Sequence, residues 1–158
     1  MQARAPNLPQ LMADMVALEK ALAALYLACS ERYPEDSRFW LAICHQEEAH
    51  ARYIAELATL ISSHPSQFKF GRQFNAVAIR NITSTVMDFA DQVRQGQVDR
   101  KRAFFMARDI EGSVLEAKYH EIVSTDNLEF KESIDRITRE TASHKSLLAA
   151  KLARSQGL

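Results

Sequence analysis

Four stretches of this chain repeat apolar residues at spacings of three and four, and each of these stripes is broken by a charged or polar group near its middle. The spacing is that of one helix face turned toward a core. The first stripe reads Met12, Met15, Glu19, Leu22, Tyr26, Cys29 and Tyr33. The second reads Trp40, Ile43, Glu47, His50, Ile54, Leu57 and Ile61. The third reads Phe104, Ala107, Glu111, Val114 or Leu115, Lys118 and Ile122. The fourth reads Phe130, Ile134, Ile137, Thr141, His144 and Leu148. No segment alternates with the period of two that a half-buried strand requires. The expected class is all-α.

Punctuation sets the boundaries. Asn7 can cap, and Pro9 can open, a first helix over about 9–33. Pro34 starts a second over about 35–61, with Glu35 and Asp36 in the first turn, where the helix dipole favours acids. Residues 62–71 read as a loop. A further helix is expected over about 73–94, from Ile79, Ile82, Val86, Phe89 and Val93. Gly96 breaks it, and Asp99 can cap a helix over about 99–123. Asp126 and Glu129 are spaced as a capping box for the last helix, about 127–153. One domain over 1–158 follows, with four long helices and a long crossover that carries a short extra helix between the second and third. This is a standard connectivity for a four-helix bundle.

At 158 residues a single core can bury roughly 68–70% of the unfolded surface, so neither metal nor disulfide is needed merely to fold. Lys plus Arg and Asp plus Glu balance at 20 each, which gives no footing for nucleic acid or an acidic membrane surface. The run DRKR at 99–102 reads as a solvated helix start. Cys29 and Cys44 form no C-x-x-C, which excludes a Cys-rich iron centre and leaves both as expected buried small hydrophobes. No apolar run approaches the length of a membrane span, and no stretch reads as a signal peptide. The expected location is cytoplasmic.

The polar interruptions fall near residues 20, 48, 111 and 141, the approximate helix midpoints. Helices of similar length place their midpoints at one level of a bundle. Glu19, Glu47, His50, Glu111, Thr141 and His144 are therefore expected in one layer. A buried carboxylate costs roughly several kcal/mol unless it is paired or neutralised. No Arg or Lys lies on a stripe at that level, and Lys118 is about two turns away. A metal ion is the economical partner. Carboxylate oxygen with imidazole nitrogen suits iron, manganese or zinc, and Glu-x-x-His puts both ligand types on one helix face.

These residues resemble the ferritin-like superfamily, and most closely its rubrerythrin branch. The superfamily's site takes one Glu from each of two helices and Glu-x-x-His from each of the other two. Glu19 matches the first lone Glu, and Tyr26 in LEKALAALY keeps a Glu-to-Tyr spacing found in rubrerythrins. Glu47 and His50 in QEEAH match the first Glu-x-x-His. Glu111 in ARDIEGSVLEAKYH matches the second lone Glu, and His144 in ETASH the second motif's His. The resemblance covers about residues 11–150.

There are departures. Thr141 stands where the second motif has Glu, and Val114 where rubrerythrins tend to offer a further Glu. Glu140 is one residue off, about 100° around the helix, and is expected on the flank. One metal position is then Glu19, Glu47 and His50 with Glu111 bridging. The other has His144 and Glu111 without a carboxylate of its own. With no C-x-x-C in these residues, no rubredoxin domain is expected beside the site.

The resemblance implies a ferritin-like bundle binding one or two ions, iron first, with manganese or zinc as alternatives. It implies peroxide or oxygen reduction, or iron handling, with an external electron donor and a homodimer as partners. Tyr26 is either a hydrogen-bond partner of a ligand carboxylate or a core aromatic. Thr141 could offer its hydroxyl to a water at the metal. The competing class is a non-catalytic metal-binding bundle, or a purely structural one. His45, His64 and His120 receive no role, and Glu48 is expected outside the core.

Overall fold

The computed structural model describes residues 8–71 and 76–156; Asn7 and the first residues of the expected crossover helix, 73–75, lie outside them. Helix α1 spans Leu8–Arg32. A 3-10 turn at Pro34–Asp36 follows, α2 runs over Ser37–Ser63, and a second 3-10 turn spans Pro65–Gln67. Two-residue strands β1, Lys69–Phe70, and β2, Val123–Ser124, pair antiparallel. Between them lie α3, Ala76–Arg94; α4, Arg100–Glu116; and the short α5, Tyr119–Ile122. The last helix, α6, spans Leu128–Gln156. The described chain is all-α apart from that one strand pair.

Local chemistry explains the ends. Gly96 follows α3 with φ 73°, the left-handed conformation glycine adopts most readily, and its N–H bonds the Val93 carbonyl at 3.1 Å. Asp99 caps α4, its Oδ1 accepting from the Arg102 N–H at 2.8 Å. At α6 the bond from the Phe130 N–H goes to Asn127 Oδ1 at 3.0 Å. The cap is thus one residue beyond the expected Asp126, because the amide oxygen of Asn127 is the one that meets the free N–H.

The third long stripe is where the chain departs most from its periodicity. A helix over 99–123 is expected, yet α4 ends at Glu116 and Lys118 turns left-handed at φ 51°, ψ 62°. That conformation costs a non-glycine residue about 1–2 kcal/mol. Lys118 is exposed rather than on the core stripe, and the break turns Tyr119, Ile122 and Val123 inward, all buried. The β1–β2 pair holds the displaced segment. Gly71 continues it, its N–H bonding the Ile122 carbonyl at 2.9 Å. A Cβ at Gly71 would lie 2.0 Å from the Glu121 carbonyl oxygen, so only glycine allows this approach.

Contacts fix the helix directions. On α1 and α2, Glu19 meets His50, the Ala23 carbonyl meets Cys44 Sγ at 3.3 Å, and Tyr26 stacks on Trp40. The numbers rise on one helix as they fall on the other, so the pair is antiparallel. Helices α2 and α6 are antiparallel by the same logic: Phe39 lies under Lys151 and Tyr53 under Arg136. Helix α3 packs along α1 and touches α4, while α4 packs on α6. Asp36, buried ahead of α2, takes Arg100 Nε at 2.5 Å and Nη2 at 2.9 Å, tying α2 to the start of α4.

Below the polar layer the core is aromatic. Trp40, the only tryptophan, is fully buried between Tyr26 at 5.7 Å and Phe104 at 5.0 Å, centroid to centroid. Trp40→Ala is expected to cost about 3–5 kcal/mol, read as a lower urea midpoint at unchanged slope. A loss below about 1 kcal/mol would mean that this stack does not anchor the core. Among the described residues, no helix is long and apolar enough to cross a membrane.

Candidate metal centre

Glu19, Glu47, His50, Glu111 and His144 occupy core positions of α1, α2, α2, α4 and α6, all at 0% exposure. They lie on the same stripes as the leucines and isoleucines around them, which is why folding buries them. Glu47 is central. Its Oε2 lies 3.1 Å from His50 Nδ1 and its Oε1 lies 2.8 Å from His144 Nδ1. Glu19 Oε2 is 3.5 Å from His50 Nδ1, and Glu111 Oε1 is 3.6 Å from His144 Nδ1. The imidazole rings stack, with centroids 5.8 Å apart.

Two groups result that could hold a metal ion. One is Glu19, Glu47 and His50, and the other is Glu47, Glu111 and His144, with ligand atoms in each group within 4.8 Å of one another. Glu47 is the residue common to both. From spacing alone, Glu111 is expected in that place. Antiparallel α2 and α6 instead set Glu47 directly across from His144, so one carboxylate faces both histidines. Thr141 is buried on α6 and brings no carboxylate.

Two tyrosines complete the layer. Tyr26 O–H donates to Glu111 Oε1, and Tyr119 O–H donates to Glu19 Oε1 at 2.9 Å. The second oxygen of each carboxylate, Glu19 Oε2 and Glu111 Oε2, is buried without a hydrogen-bond partner. Such an atom costs about 1–3 kcal/mol in a protein interior. Each belongs to a different ligand group.

Three features escape the sequence reading. Tyr119 enters only because the chain breaks at Lys118, which no periodicity signals. Glu140 does sit on the flank of α6, but its side chain is long enough for Oε2 to reach His50 Nε2 at 2.6 Å, and its Oε1 takes Arg136 Nε at 3.1 Å. Gln46 Oε1 meets His144 Nε2. The signal for these last two was present: Gln46 and Glu140 each stand four residues before a site histidine. His45, His64 and His120 are exposed, outside the cluster, and Cys29 and Cys44 are buried free thiols.

The cluster offsets its own charge with protons. Burial, and then repulsion from Glu111 and Glu19, holds the Glu47 carboxyl well above the usual range. Burial would raise Glu19 as well, but its close approach to Glu47 and to the His50 imidazole, together with the Tyr119 hydroxyl, outweighs it and keeps Glu19 low. Burial opposes charge on the histidines, yet their bonds to the carboxylates prevail. His50 is pushed up to about 11 and His144 to about 9. Tyr26 and Tyr119, desolvated and beside carboxylates, rise well above the ordinary phenol value and stay neutral donors. With Glu47, His50 and His144 all raised, a cation in this layer would compete with protons for them.

Comparison with known proteins adds no relative: no family model, no curated protein and no solved structure matches this chain.

Proposed function

We propose that the protein is a metal-binding protein of ferritin-like, rubrerythrin type, with α1, α2, α4 and α6 as the bundle helices and α3 on the crossover. The observation that supports this most is the pairing of a shared Glu47 with two buried oxygens that lack a hydrogen bond, Glu19 Oε2 and Glu111 Oε2, one in each group. A divalent cation in each group would satisfy that group's oxygen and displace protons from Glu47, His50 and His144. Three carboxylates and two imidazoles, with no thiolate, suit iron, and also manganese or zinc; iron is the reading adopted here.

The surrounding residues have defined tasks in this proposal. Tyr26 and Tyr119 each hold one oxygen of Glu111 and Glu19, leaving the other free to face the centre. Complete burial of the ligand side chains keeps bulk water from competing for them. Paired irons, when bound, supply the electrons for reduction of peroxide or oxygen, and an external donor would restore them. A second reading, metal storage or sensing without turnover, is favoured by Thr141, which leaves the Glu47, Glu111 and His144 group without a carboxylate from α6.

One experiment separates these readings. The protein is loaded anaerobically with Fe(II), its metal counted per chain, and peroxide added. Two irons with rapid turnover support the redox protein. One retained iron without turnover supports the binder. No retained metal overturns both. Paired variants locate the ions: Glu19→Gln with His50→Ala should remove one group and spare the other, and Glu111→Gln with His144→Ala should do the reverse. Metal counts that fall equally to zero in both would show one indivisible site.

A further inference from the structure

We propose that the two metal positions are unequal because Glu140 stands behind His50 and Gln46 stands behind His144, so that the Glu19, Glu47 and His50 position binds more tightly and fills first. The inference rests on the metal-binding reading above and assigns Glu140 as the positioning residue of the tighter position.

Both histidines turn Nδ1 toward the cluster and Nε2 away from it. A histidine that ligates through Nδ1 must carry its remaining proton on Nε2 and needs an acceptor there. Both acceptors are present, and they come crosswise. Glu140 on α6 serves His50 on α2 at 2.6 Å, and Gln46 on α2 serves His144 on α6. Each acceptor is four residues before a histidine on its own helix and opposite the other helix's histidine. The antiparallel crossing of α2 and α6 produces this exchange. With Nε2–H directed at an acceptor, each ring that loses its Nδ1 proton to a metal is left in the tautomer that presents the Nδ1 lone pair.

The acceptors differ in charge. Glu140 offers a carboxylate whose second oxygen is held by Arg136 Nε at 3.1 Å, so it has a fixed direction. Gln46 offers a neutral amide oxygen. A hydrogen bond to an ionised acceptor is about twice as strong as a neutral one. An acceptor behind a ligating histidine also raises that histidine's basicity as a ligand, and its loss typically costs about 10–100-fold in metal affinity. The His50 position therefore gains more from its outer partner than the His144 position does. Both partners lie at the rim: Gln46 is exposed and Glu140 half-buried, so either can be changed without opening the core.

The test is an anaerobic titration of the metal-free protein with Co(II), followed by calorimetry and visible absorption. Wild type should show a tighter step that His50→Ala removes and His144→Ala leaves in place. Glu140→Gln should weaken that step by about 10–100-fold, with circular dichroism unchanged. Gln46→Glu should tighten the weaker step, and Glu140→Gln combined with Gln46→Glu should reverse the order of filling. If Co(II) binds but Glu140→Gln leaves the tighter step unmoved, or His144→Ala is the variant that removes it, this inference fails while the metal-binding reading stands. If wild type binds no Co(II), both fail.

Discussion

Glu47→Gln is expected to abolish metal binding at both groups at once, whereas a change at Glu19 or Glu111 touches only one. Glu47 alone belongs to both groups, through Oε2 toward His50 and Oε1 toward His144. The substitution keeps the side chain's shape, exchanges one oxygen for an amide nitrogen with no lone pair to offer, and takes the negative charge from the oxygen that remains, so neither group keeps a Glu47 carboxylate. Loss of an outer partner of a metal ligand costs about 10–100-fold, so loss of a shared ligand should exceed about 100-fold at each position. Calorimetric titration with Zn(II) reads this, and circular dichroism checks that the helices persist. An affinity within about tenfold of wild type would remove Glu47 from the centre of the site.

The second large effect is an opposite response to pH with and without metal. Between about pH 6 and pH 8 the metal-free protein should lose stability as pH rises, while the stabilisation added by metal should grow. The folded pKa values of His50 and His144, about 11 and about 9, lie above the ordinary 6.5. Their contribution is fully present below about 6.5 and fades as pH climbs through the folded values. Glu47, raised from 4.5, acts in the same direction. Glu19 and Glu140 are lowered, so their contribution is lost only on the acid side, below about 4.5.

Metal needs those same atoms without protons, so its affinity rises with pH. At about 100 times Kd it adds about 2.7 kcal/mol, on the order of 5–10 °C in melting temperature for a chain of this size. Melting curves of both forms at each pH give the difference directly. A difference that stays constant or shrinks toward pH 8 contradicts this account of what holds the cluster together.

Much of this arrangement is legible from spacing alone. The 3/4 stripes place Glu19, Glu47, His50, Glu111 and His144 on core faces because a side chain's face follows from its position in a regular helix. What cannot be read is whatever depends on a helix stopping or on how far a side chain reaches. Tyr119 is brought to Glu19 by the left-handed Lys118, a break supported by long-range pairing with Gly71 and β1 rather than by any nearby Pro or Gly. Glu140 has the wrong face for a core ligand, and its angular position is as expected. Its three-carbon reach toward the neighbouring helix decides its partner, and that distance exists only once α2 and α6 are packed. The same holds for Glu47 as the residue common to both groups, since the crossing of two helices, not the content of either, sets it opposite His144.

The proposal stands or falls with metal binding by the buried Glu and His layer. The most direct measurement is elemental analysis of wild type and Glu47→Gln side by side, each loaded anaerobically with Fe(II) and then desalted. At least one iron is expected to be retained per wild-type chain, and none by the variant. No iron in either, or equal iron in both, would contradict the proposal.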